Sequence, residues 1–125
     1  MATAESRDAP FFEALGSGPT IESRNIARAL HVNKSQLADV LGVGADSLRR
    51  ANRERAARIQ TRMRDMVEII NRAQPWAGSI NQAFAWYRSQ PLPSFGGATA
   101  EELVKDGKAE AVKAYLARIN EGGYA

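Results

Sequence analysis

Apolar positions in this chain recur at three- and four-residue intervals, and caps or stops interrupt them roughly every fifteen to twenty residues, a pattern that predicts helices throughout. Thr20, after Pro19, is placed to cap a first helix carrying Ile21, Ile26 and Leu30. Asn33 with Gln36 has capping-box spacing and opens a helix with Leu37, Ala38 and Leu41. Gly42 can take the left-handed conformation that stops it. Gly44 starts the next helix, which carries Leu48 and Ala51. The longest stripe is Ile59, Met63, Met66, Val67 and Ile70, with arginines on the opposite face and Pro75 as its end. Ser79 with Gln82 leads into Phe84 and Trp86, and the segment QPLPSFGG over 90–97 reads as a tight link. Thr99 with Glu102 caps a short helix ending near Gly107. A last helix sets Ala111, Val112, Tyr115, Leu116 and Ile119 on one side and stops at Gly122-Gly123.

No segment reads as a strand, so the expected fold class is all-α. Its expected organisation is a loosely ordered segment over 1–18, with Phe11, Phe12 and Leu15 as a short docking element, then a helix-turn-helix region over 19–74 and a second helical domain over 75–125.

The helix-turn-helix lies in KSQLADVLGVGADSLRRANR, residues 34–53. Two helices that cross closely need a small residue at the crossing, which Ala38 provides, and a glycine at the turn, which Gly42 provides. Leu37, Leu41, Val43 and Leu48 bury the pair, leaving Ala45, Asp46, Ser47, Arg49, Arg50 and Arg53 outward. Guanidinium groups grip guanine or hold phosphate, so Arg49, Arg50 and Arg53, with Ser47, are the candidate DNA-contacting residues. The same spacing also serves a plain helical hairpin. Gly44 and Ala45 offer no side-chain donor at the helix start, which points to modest, phosphate-driven and salt-sensitive binding.

Charge sharpens this reading. The net charge is +3, but residues 1–48 hold four basic and six acidic side chains, residues 49–72 hold eight arginines against three acids, and residues 73–125 hold five of each sign. An arginine belt beside a neutral half suggests two surfaces with different partners. Arg55, Arg58, Arg62 and Arg64 read mainly as the solvated face of the long helix. There is no cysteine and a single histidine, His31, which rules out disulfides and thiolate metal sites and argues against a histidine-based zinc site. His31 is expected to be a partly buried structural residue near a helix end. No apolar run approaches the ~20 residues of a membrane span, and the N-terminus lacks a signal-peptide pattern, so the expected compartment is the cytoplasm.

The C-terminal part carries Ala85-Trp86, Pro91 and Pro93, then Gly96-Gly97 with Thr99 and Leu103, then Gly107, Val112, Leu116, Ile119 and Gly122-Gly123-Tyr124-Ala125. In order and spacing these residues resemble the toxin-binding domain of the Xre/MbcA/ParS antitoxin family, in which an Xre-like helix-turn-helix commonly precedes that domain. Two positions depart from the pattern: Ala100 stands where proline is more frequent, and Phe95 replaces a leucine before the glycine pair.

The resemblance implies an antitoxin of a type II toxin-antitoxin system. Its partner would be a RES-type, NAD-consuming toxin whose active site the C-terminal region occludes, and the antitoxin would be a homodimer that binds operator DNA to regulate its own synthesis. Carried over, the toxin-facing residues are Lys113, Arg118, Asn120, Glu121, Gly122, Gly123, Tyr124 and Ala125. Glycines allow close backbone approach and Tyr124 offers an aromatic anchor, although Gly122-Gly123-Tyr124 also suits a simple helix cap. No constellation supports catalysis, and no cofactor signature is present. The competing reading is a stand-alone transcription regulator whose C-terminal half only dimerises or senses a ligand.

Overall fold

A computed structural model describes residues 20–121. The chain divides into two units, Met1–Arg64 and Asp65–Ala125, each with its own core. The architecture is all-α, and the only extended pairing among the described residues is one isolated bridge between Leu92 and Ala98. The expected stops at Gly122-Gly123 and the segment 1–18 lie outside the described residues.

In the first unit, α1 (Ser23–Leu30) and α2 (Lys34–Leu41) end alike. In each, the amide two residues past the helix reaches back to close the last turn: Val32 N–H to Ala27 O at 2.9 Å, and Val43 N–H to Ala38 O at 3.0 Å. Both ends need a left-handed residue, which is Gly42 (φ 72°) in one and His31 (φ 60°) in the other. His31 is therefore an exposed cap rather than a partly buried residue. Asn33 and Gln36 form the full capping box on α2. Thr20 does not cap α1. Its N-cap is Glu22, without a side-chain bond, and the Glu54 carboxylate accepts from the Ser23 amide at 2.6 Å instead.

The second helix of the pair is shorter than expected. α3 spans only Asp46–Arg49, the chain becomes extended at Arg50 (φ −102°, ψ 123°), and a further turn, α4, spans Ala51–Glu54. Ala51 is exposed, so the apolar anchor of this stretch is Leu48 alone, fully buried with Ile26, Leu37 and Leu41. Without a second anchor one turn later, nothing holds the helix on course past Arg49. Side chains close the loose ends. Lys34 Nζ donates to Leu48 O at 3.2 Å, Arg62 donates to Leu41 O at 2.6 Å, and buried Gln60 bonds both the amide and the carbonyl of Ile21.

The long helix α5 (Ala57–Ala77) buries the whole expected stripe, Ile59, Met63, Met66, Val67 and Ile70, and also Ile69 and Ala73. Pro75 does not end it but sits in its last turn. Proline there forfeits one hydrogen bond near an end that is already fraying, and the stop comes at Gly78 (φ 112°), where only glycine is at ease.

In the second unit, α6 (Ile80–Ser89) is capped by Ser79, whose hydroxyl accepts from the Gln82 amide. A 3-10 turn, Pro93–Phe95, and the left-handed pair Gly96-Gly97 fold the link back on itself, with the Leu92 amide donating to Ala98 O at 2.9 Å. Thr99 and Glu102 form a full capping box on α7 (Ala100–Lys105). Helix α8 (Ala109–Asn120) buries Ala109, Val112, Tyr115 and Leu116. Of the expected α8 stripe, Ala111 is exposed and Ile119 only half-buried.

Candidate functional site

The candidate DNA-contacting residues follow the glycine turn of the first unit. Arg49, Arg50 and Arg53 are exposed and Ser47 is half-buried. They do not lie along one continuous helix, because the break at Arg50 separates Arg49 from Arg53. Arg49 donates to Ser35 Oγ at 3.2 Å, which ties the start of α2 to the end of α3. Asp46 sits between two of these arginines, with one carboxylate oxygen 3.9 Å from Arg49 and the other 4.0 Å from Arg53. Beside them lies an open cleft of about 460 Å³, rimmed by Arg24, Lys34, Arg49 and Arg55, with Glu22 and Glu54 also lining it. Sequence reasoning left Arg62 on a solvated face, and its bond to the end of α2 was not legible because the partner is a backbone carbonyl.

The candidate toxin-facing residues are distributed unevenly. Arg118, Asn120 and Glu121 are exposed at the end of α8, and the Arg118 guanidinium lies over the Tyr115 ring, 5.9 Å from its centre. Gly122, Gly123, Tyr124 and Ala125 lie outside the described residues. Lys113 differs from all of these. Its side chain is only 12% exposed, and its ammonium contacts Asp65 at 2.8 Å, Glu68 at 3.1 Å and Glu110 at 3.1 Å. Arg72 completes the cluster, donating to Glu68 at 2.6 Å and to the Lys113 carbonyl at 3.3 Å. Burial alone would lower the pKa of Lys113, but the hydrogen bonds its ammonium donates to Asp65, Glu68 and Glu110 outweigh it and raise the value above its ordinary 10.5. Burial would likewise raise Glu68, but Lys113 and Arg72 together hold it below its ordinary 4.5. Lys113 thus clamps α8 to the Asp65–Ala77 part of α5, and its ammonium is spent inside its own unit.

Two further features escaped sequence reasoning. Trp76 and Trp86 meet edge to face, 5.3 Å between ring centres. With Gln90, Pro91, Leu92, Pro93 and Tyr115 they line an apolar notch of about 300 Å³, and both indole N–H groups are buried without an acceptor among the described residues. Glu101 is buried between Arg88 (2.9 Å) and Lys105 (2.8 Å), joining α6 to α7.

Among the described residues no group of three metal-ligating side chains occurs, and no helix is long and apolar enough to cross a membrane. Neither curated proteins nor solved structures gave a match to the chain. One family model does match, over residues 72–122, and its description is the antitoxin Xre/MbcA/ParS C-terminal toxin-binding domain. The matched span holds α6, α7, α8, the glycine-paired link, the Glu101 ion pairs and the Lys113–Glu110 pair, while Asp65 and Glu68 precede it. Residues 72–122 of this chain are therefore similar to the toxin-binding domains of the Xre/MbcA/ParS antitoxins.

Proposed function

We propose that this chain is the antitoxin of a type II toxin-antitoxin pair. It neutralises a RES-type, NAD-consuming toxin by covering that enzyme's active site with its C-terminal region, and it acts in the cytoplasm as a homodimer. The observation that carries the reading is the family match over 72–122, which falls on a unit with its own core. In this reading Arg118, Asn120 and Glu121, with the tail Gly122, Gly123, Tyr124 and Ala125, face the toxin, and Lys113 holds α8 in place for them. Co-expression with the adjacent reading frame is expected to rescue cells that the neighbour alone kills, and the two proteins should co-purify. A neighbour that is harmless by itself, or that never co-purifies, overturns the assignment in favour of a stand-alone regulator.

The first unit is read as a shortened helix-turn-helix that binds operator DNA through Ser47, Arg49, Arg50 and Arg53. Support comes from the glycine-turned pair α2 and α3 and from three exposed arginines within five positions. Because α3 is a single turn, few side chains reach base edges, and phosphate contacts supply most of the affinity. Arg49→Ala with Arg50→Ala is expected to lower operator affinity about tenfold or more at moderate salt. The slope of log affinity against log salt should also fall by about 2. An unchanged slope in an electrophoretic or fluorescence titration would move the DNA surface away from these two residues.

A further inference from the structure

We propose that Asp46 is a specificity-determining residue that selects cytosine in the major groove, an inference that rests on the DNA-binding reading of the first unit. Asp46 is the first residue of α3, and its side chain is 58% exposed on the face that carries Arg49 and Arg53, themselves 59% and 55% exposed. Its two oxygens are straddled by the two guanidinium groups at 3.9 and 4.0 Å, too far for hydrogen bonds. Exposed pairs of this kind add little to stability, so packing does not account for the arrangement.

On a face that otherwise attracts phosphate, a carboxylate lowers affinity for every sequence. It is compensated only where a donor meets it. The major groove offers two exocyclic amines, N4 of cytosine and N6 of adenine. Adenine sets the N7 acceptor beside its amine, which repels the second oxygen of a carboxylate, whereas cytosine sets no acceptor there. A carboxylate therefore selects cytosine. The flanking arginines neutralise it during approach through the phosphate field, and Arg49, held by Ser35 Oγ at 3.2 Å, stands one turn along to take O6 and N7 of a neighbouring guanine.

Selection from randomised duplexes with the full chain, run in parallel on wild type, Asp46→Ala and Asp46→Asn, tests this. Wild type is expected to enrich cytosine at one position per half-site, preferring it about tenfold over thymine. Asp46→Ala should lose that preference, binding duplexes that lack the cytosine more tightly and cytosine-bearing ones about as before. Asp46→Asn should turn the same position towards adenine, because an amide both donates and accepts. Circular-dichroism melting checks that both variants stay folded, since an exposed Asp→Asn change removes no packing. If both variants gain affinity uniformly and the base preferences stay those of wild type, Asp46 is only an electrostatic brake and the inference fails. If wild type binds no duplex at all, the DNA-binding reading itself fails, a different outcome from bound DNA with unaltered preferences.

Discussion

Tyr87→Ala is expected to destabilise the second unit by about 3–5 kcal/mol, the cost of emptying a fully enclosed aromatic site. Tyr87 is 0% exposed and shares the inner face of α6 with Ala83, one turn earlier. A small domain has only ~5–15 kcal/mol in hand, so the variant should unfold at markedly lower denaturant. The comparison with Trp86→Ala is the sharper check. Tryptophan is the larger residue, yet Trp86 is half-buried at the edge of the notch with Trp76, so its removal should cost less. Urea titrations that rank Trp86→Ala as the more damaging change would overturn the packing described for α6.

Lys113→Met should be nearly as severe, at about 2–3 kcal/mol, although methionine keeps most of the apolar stem. The loss arises because part-buried Asp65 is left without a cation and Glu68 keeps only Arg72, so nothing ties them to α8 through the lysine. The pH dependence follows from the same cluster. Glu68 has a folded pKa below 4.5, so its contribution is present above that pH and disappears as acid takes the carboxylate through its folded value. Lys113 has a folded pKa above 10.5, so its contribution is whole below that pH and is lost as the solution becomes more alkaline. The ion cluster thus supports a plateau between those limits. In Lys113→Met the acid midpoint of unfolding should move up and the alkaline decline due to this lysine should vanish. Melting curves across pH that superimpose on wild type after a constant offset would contradict the assigned network.

The helices were legible wherever a short-range rule operates. Asn33 with Gln36 and Thr99 with Glu102 specify their boxes through contacts three residues apart, and Gly42 specifies its stop through its own backbone freedom. The stripe from Ile59 to Ile70 was readable because a helical period needs no partner to be recognised. The resemblance of the C-terminal part was readable for a similar reason, since its glycines and capping threonine mark local geometry that the fold then uses.

What the sequence could not express was which long-range partner each residue meets. Thr20 and Glu54 both suit a cap by composition, but α1 takes Glu54 because the turn α4 brings that carboxylate to the Ser23 amide from thirty-one positions away. The sequence pointed to Phe84 and Trp86 as the apolar positions of α6, but both are half-buried and packing puts Tyr87 inside instead. Lys113 reads from composition as one more surface cation, and becomes a clamp because α5 presents Asp65 and Glu68 where it lies. Local chemistry therefore determined the helical elements and those ends that carry a capping box or a left-handed glycine such as Gly42. Tertiary structure decided which charges are spent internally and which, such as Arg118 or the Arg49–Asp46–Arg53 group, remain exposed, because desolvation and ion pairing depend on neighbours in space rather than along the chain.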